Sequence, residues 1–274
     1  MTNLRALVST LIDRLLSIED PSIDGLGIGG SRGAQDSADE LADLDLFVLV
    51  KNGHLESFIA RLPTLAHLLG EPLLCRGPIF VPNYGYSVTI VFAPLLCCQF
   101  NVNDAATLVP HHCRKHTRVL FDRSGHLTSV TVASRPIGID HKVVFEEAVA
   151  TFWHRVLDTT RDLRRKQYWM ALRHQADARQ QLLAFARLTA ERDPRDYYLV
   201  EKAFEADLGA SISEALRPAV PDYSSFSITH ALKFAVHWVN EHVPSLAVRV
   251  GAEYPWAVAN RLTAEVESLT AGVP

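Results

Sequence analysis

Ile28-Gly29-Gly30-Ser31, followed after eleven residues by Asp43-Leu44-Asp45-Leu46-Phe47-Val48-Leu49-Val50, decides the reading of the N-terminal half. The run from Leu44 to Val50 is apolar and β-rich, the pattern of a buried strand. Side chains at i and i+2 of a strand share a face, about 6–7 Å apart. Asp43 and Asp45 therefore project together, while Leu44 and Leu46 turn into a core. Two like charges held side by side repel unless a cation neutralises them, and hard Mg2+ suits carboxylate oxygens. Two such ions a few ångströms apart can stabilise both the attacking and leaving oxygens of a phosphoryl displacement. Upstream, the short apolar run Ile23 to Ile28 is broken by Gly29-Gly30-Ser31-Arg32-Gly33. Glycines let backbone N–H groups approach a phosphate closely, and the N-terminus of a following helix favours the anion.

The chain has 274 residues, enough for one large or two small domains. A hydrophobic fraction of 48% with 21% charged residues excludes a disordered, collagen-like or low-complexity chain. Lys+Arg 27 against Asp+Glu 31 leaves a net charge of −4, which gives no global basic field and disfavours nucleic acid as a partner. Four cysteines without a CxxC make no disulfide framework. The opening MTNLRALVSTLIDRLL carries Asp13 and Arg14 and lacks the unbroken apolar stretch of a signal peptide. A reduced, cytoplasmic protein is expected. The charge-free run between Arg76 and Asp104 holds Pro78, Pro82, Pro94 and Gly85, so it reads as strands and turns. A membrane-spanning helix needs about 20 apolar residues in a row, and none is expected.

The periodicity predicts a helix from Leu4 to Ile18 and a helix from His54 to Leu69 closed by Gly70. Leu73–Leu74, Ser87 to Phe92, Cys97 to Val102 and Arg118 to Phe121 read as further strands, with a hairpin around Ala93-Pro94. Beyond about residue 138 the chain turns helical, over Lys142 to Thr160, Arg161 to Arg192, Tyr197 to Leu208 and Ile228 to Val243. Pro194, the Pro218–Pro221 stretch and Pro244 are the expected breaks. The expected fold class is α+β: a mixed-sheet domain over 1–138, then an all-helical domain over 139–274.

Gly30-Ser31-x11-Asp43-Leu44-Asp45 resembles the signature of the nucleotidyltransferase superfamily that includes DNA polymerase β. Within it the chain looks most like the aminoglycoside and lincosamide nucleotidyltransferases. Asn83-Tyr84 to Val102, with the tail Thr107-Leu108-Val109-Pro110, resembles the central hairpin of the streptomycin adenylyltransferases. Phe152-Trp153 to Trp169, including Arg164-Arg165-Lys166-Gln167-Tyr168-Trp169, resembles the opening of their helical domain. The likeness spans most of residues 20–190. It implies transfer of a nucleoside monophosphate, AMP from ATP, to a hydroxyl of a small molecule such as an aminoglycoside or lincosamide antibiotic. It further implies Mg2+ on Asp43 and Asp45, and a nucleoside triphosphate at Gly29, Gly30, Ser31 and Arg32.

One departure stands out. The family's third metal-binding carboxylate lies in the second strand of the hairpin, in an apolar-Asp-apolar pattern. The corresponding run is Cys98-Gln99-Phe100-Asn101-Val102-Asn103, so Gln99 takes the place of the third metal ligand and Asn101 follows two residues on. An amide can ligate through its carbonyl oxygen but brings no charge. Asp104 is the nearest carboxylate, at the wrong parity or past the strand end. Two alternatives follow: a transferase acting on tRNA or protein, or a nucleotide-binding homologue weakened by the missing carboxylate.

Several other groups read as ordinary surface or core. Gly25-x-Gly27-x-x-Gly30, with Asp45 downstream, matches a dinucleotide fingerprint, but no strand precedes its first glycine. His111-His112-Cys113 and His116 have no complementary ligand pair, so with Arg114, Lys115 and Arg118 they read as a basic surface segment. Asp36, Asp39 and Glu40 read as a solvated loop. Arg161, Arg164, Arg165 and Lys166 read as a solvated helix face, with triphosphate neutralisation as the functional alternative. Phe152, Trp153, Tyr168 and Trp169 read mostly as core, with one able to stack on a base or sugar.

Overall fold

The apolar run Leu44 to Val50 forms the strand its composition predicts, deep in a six-stranded mixed sheet. The structure, a computed structural model, describes residues 4–33, 42–82, 84–135, 137–138, 140–191, 201 and 204–269. It divides into two units, Met1–Gly138 and Ile139–Pro274. Along the first unit run α1 (Leu4–Ser17), β1 (Ile23–Ile28), α2 (Gly30–Gly33), β2 (Leu44–Val50) and α3 (Leu55–Leu69). Then come β3 (Pro72–Val81), β4 (Gly85–Phe92), β5 (Leu96–Asn103), β6 (Arg118–Asp122) and α4 (His126–Ser134).

The sheet order is β3-β4-β5-β2-β1-β6. All neighbours pair antiparallel except β2 with β5, which run parallel. Alternation then sorts the side chains. Leu44, Leu46, Val48 and Val50 join Val88, Ile90, Cys98, Phe100 and Val102 in a core closed by α1 and α3. Phe47 and Leu49 point the other way, to a smaller cluster with Leu108 and with Leu127 and Val130 of α4. The paired carboxylates lie on this second face. The GxGxxG run lies within β1 and at its end, so its first two glycines are strand residues facing α4 and no dinucleotide turn exists there.

The second unit is helical: α5 (His141–Arg164), α6 (Tyr168–Thr189), α7 (Phe204–Leu208), α8 (Ala210–Leu216), α9 (Ser225–Val250) and α10 (Trp256–Glu267). Its core gathers Phe145, Phe152, Trp153, Phe185, Leu232, Val239 and Val243. Two expected breaks are corrected. The chain does not break at 160–161; the turn falls at Arg165–Gln167, where Lys166 takes φ +59°. Pro244 does not end its helix: α9 runs through it to Val250. A proline inside a helix costs about 3 kcal/mol. The apolar stripe nonetheless continues past it through Leu246 and Ala247, and packing of such a face supplies most helical stability in a protein. The expected helix from Tyr197 lies largely outside the described residues. No helix among the described residues is long and apolar enough to cross a membrane.

Candidate active site

Asp43 and Asp45 enter the sheet at the start of β2, Asp43 exposed and Asp45 half-buried. The parallel register sets Asp45 directly beside Gln99 of β5, and Leu44 beside Cys98. The β1–α2 turn closes over the same end. The Gly29 N–H donates to the Asp45 carbonyl at 2.8 Å, and the Gly33 N–H to the Gly29 carbonyl at 2.8 Å. Gly30 has φ +57°, and a Cβ there would lie 2.0 Å from Asp45 Oδ2. A Cβ on Gly29 would lie 2.4 Å from Phe47 Cε2. The two glycines therefore let the turn settle directly onto a carboxylate and an aromatic ring. α2 is a single four-residue turn, too short to carry a long helix dipole.

Arg32 turns inward. Its Nε donates to the carbonyls of Ala42 and Asp43 at 3.0 and 3.1 Å, and its Nη2 to Ala42 at 2.6 Å. That edge of the guanidinium clamps the backbone leading into Asp43. The loop that carries Asp36, Asp39 and Glu40 lies outside the described residues.

Gln99 sits in register with Asp45, but its Nε2 donates to Ser87 Oγ of β4 at 2.9 Å. Because β4 and β2 flank β5 on opposite sides, the amide leans away from Asp45. Asn101 is 2% exposed, buried beside Phe47. Asp104 lies past the strand end, where Oδ1 accepts from the N–H groups of Ala106 and Thr107 and closes a turn.

The sequence gives no sign of Cys97's role. It precedes Cys98 on the face of Gln99, near the Asp43 and Asp45 carboxylates. Burial pushes its thiol above its ordinary range, and the charges of Asp43 and Asp45 push it further. The thiol stays protonated at neutral pH. Strand parity with Gln99 is the signal that would have placed it.

The basic segment needs a correction. Arg114 does not face solvent; it is 1% exposed, because its guanidinium stacks over the rings of Phe47 at 5.5 Å and Tyr84 at 5.8 Å. His111 packs edge-on to Tyr84 at 5.5 Å. No group of three or more His, Cys, Asp or Glu among the described residues converges as a metal cage. In the helical unit, Arg164 pairs with Glu265 of α10. Phe152 and Trp153 are core, whereas Trp169 is 74% exposed and packs on Tyr223 at 4.6 Å.

No family model matches this chain, and no curated protein matches it. Among solved structures, it is similar over 97% of its length to an aminoglycoside 6-adenyltransferase from Bacillus subtilis, covering 98% of that chain at 14% identity and a TM-score of 0.43. It is also similar over 97% of its length to a nucleotidyltransferase-like protein from Exiguobacterium sibiricum, covering 89% of that chain at 15% identity and a TM-score of 0.39.

Proposed function

We propose that this protein is a nucleotidyltransferase that moves a nucleoside monophosphate, AMP from ATP, onto a hydroxyl of a small acceptor such as an aminoglycoside or lincosamide. One observation carries the reading: the Asp45 carboxylate rests against the bare Gly30 backbone, so the acidic strand end and the glycine turn form one surface. Carboxylates alone would repel a triphosphate, and a glycine turn alone would not hold a cation. Together they suit a metal–triphosphate pair.

The donor set fits Mg2+. This ion is commonly held by one or two carboxylates plus substrate phosphates and water, with no full protein cage. When bound, it neutralises triphosphate charge and polarises the phosphorus under attack. Asp43 and Asp45 would hold it; Gln99 would join as a third ligand only by its carbonyl oxygen, since its amide nitrogen serves Ser87. The backbone N–H groups of Gly30 and Ser31 would receive the phosphates beyond the reacting one. Arg32, by fixing the carbonyls of Ala42 and Asp43, holds the Asp43 backbone in place. In the transfer the acceptor oxygen bonds to the α-phosphorus, the bond to the bridging oxygen breaks, pyrophosphate leaves, and the hydroxyl proton passes to solvent. Catalysis is then mostly positioning and electrostatics.

Pyrophosphate release from each nucleoside triphosphate with Mg2+, across aminoglycosides, lincosamides and bulk tRNA, tests the reading. Release that depends on a small acceptor supports it; release only with tRNA moves the acceptor to a macromolecule. The lean of Gln99 towards Ser87 and the absence of a third carboxylate there favour one second reading, a nucleotide-binding protein with weak turnover. Nucleotide binding without any pyrophosphate release selects that reading.

A further inference from the structure

Among the described residues, Arg114 is a buried cation without an anion. It is 1% exposed, and among the described residues only Nη1 has an acceptor, the Val109 carbonyl at 2.7 Å. Its Nε and Nη2 are buried and meet no hydrogen-bond partner among the described residues. An arginine stays charged even when buried. A buried charge that is neither paired nor fully hydrogen-bonded is among the most destabilising features a fold can carry. Packing against Phe47 and Tyr84 offsets part of that cost, but an apolar side chain of similar length would pack there without it. The positive charge therefore asks for a reason outside the apo fold.

Its position gives one. The guanidinium lies over the Phe47 ring, 5.5 Å from the centroid. The same ring supports the glycine turn, since a Cβ on Gly29 would come within 2.4 Å of it. Phe47 is also two residues beyond Asp45 on one strand face, and its register neighbour Asn101 has a buried Oδ1 without a partner among the described residues. The segment that follows Arg114 touches the turn as well: a Cβ on Gly33 would lie 2.6 Å from the His116 carbonyl. The orphaned charge thus sits behind the surface that the functional reading gives to a triphosphate.

We propose that Arg114 is a positioning residue for the nucleotide: its buried charge, acting through Phe47 and the Gly29–Ser31 turn, offsets the triphosphate charge gathered there. This rests on the nucleotidyltransferase reading. The guanidinium does not touch the nucleotide; it acts across a ring and a turn, where salt screens little. One such charge opposite a polyanion at this range changes affinity by about tenfold or more.

The test uses the full chain and Arg114→Met, Arg114→Lys and Arg114→Gln. Isothermal titration with Mg·ATP and with Mg·inorganic triphosphate reads affinity, and thermal melting without ligand reads the fold. Arg114→Met is expected to melt at or above the wild-type temperature yet to bind both ligands about tenfold or more weakly. Arg114→Lys should stay within about threefold of wild type, because the charge is kept. Where turnover is measured, KM for the nucleotide should rise while kcat holds, the mark of binding lost equally in ground and transition states. If Arg114→Met does not fold, Arg114→Gln, which keeps a donor for the Val109 carbonyl without the charge, carries the comparison. Wild-type affinity in the uncharged variants overturns the proposal, and so does equal loss in Arg114→Lys and Arg114→Met, which would mean shape alone matters. A wild-type protein that binds neither ligand overturns the functional reading, and this inference with it.

Discussion

Asp45 and Gly30 are packed so closely that the carboxylate occupies the space a side chain on residue 30 would need, with Oδ2 2.0 Å from an added Cβ. The φ of +57° at Gly30 adds a second bar to any L-residue. The glycine turn and the Asp45 carboxylate are thereby set by one contact.

Gly30→Ala is accordingly expected to lose pyrophosphate release by about 100-fold, since displacing a catalytic group by an ångström can cost that much. It should also lower stability by roughly 1–2 kcal/mol, because alanine is strained at positive φ. Denaturant melts and turnover, measured on the same preparation, check both. Wild-type turnover in Gly30→Ala would separate the turn from the chemistry.

Asp43→Asn and Asp45→Asn should each reduce transfer by about 100-fold or more. Stability should hold or rise, because a like-charge repulsion is relieved. Turnover near wild type in either variant would remove that aspartate from the metal set.

Gln99→Asp shortens the side chain by one methylene, removes the tie to Ser87 and puts a third carboxylate in register with Asp45. Mg2+ affinity in the presence of a non-hydrolysable ATP analogue should tighten by about tenfold, through one added charge-to-charge attraction. The metal-free protein should melt lower, as three carboxylates crowd one strand end. Isothermal titration decides it, and unchanged affinity would mean residue 99 faces away from the cation.

Cys97 is held protonated first by burial and then by the negative charge of Asp43 and Asp45. Its alkylation should therefore be slow at neutral pH and accelerate only on the alkaline side of an ordinary thiol, because the thiolate is the reactive form. Asp43→Asn removes one of the opposing charges and should shift the rate profile to lower pH. Cys98, pushed up to about 12 by burial, should stay unlabelled throughout. Peptide mass spectrometry after timed iodoacetamide exposure reads each cysteine separately.

Asp20 is buried, and burial alone would raise its pKa; the Ser22 hydroxyl and N–H groups and the Arg61 guanidinium outweigh that and lower it. A depressed folded pKa contributes stability that is present above the unfolded value, near 4, and is lost as pH falls through the folded one. Asp20→Asn should thus melt below wild type at neutral pH. The gap should close as the pH falls below about 4.

The strands around the site were legible because β1 and β2 are short, apolar and bounded by glycine or polar turns. α4 was not, since His126 to Ser134 is rich in threonine, valine and serine and has almost no amphipathic stripe. The α5–α6 turn carries no glycine or proline, so periodicity ran across it. At the site, Asp43 and Asp45 announced themselves by spacing, and Gln99 by its place in the resembling hairpin. Arg114 did not, because an arginine beside a lysine and histidines reads as surface; only two rings brought together by the fold take it inside. Cys97 likewise needs strand parity, not composition, to place it beside Asp43.

The parallel pairing of β2 with β5 also governs when the site can come into being. Asp45 and Gln99 meet only after the chain has passed through α3 and the β3–β4 meander and returned to the starting edge of β2. Contacts of such long sequence separation form late, after loop closure has been overcome. The glycine turn and the acidic strand are local and can form early. The complete constellation is a reporter of finished folding, so a nascent or truncated chain ending before β5 presents the carboxylates without their neighbours.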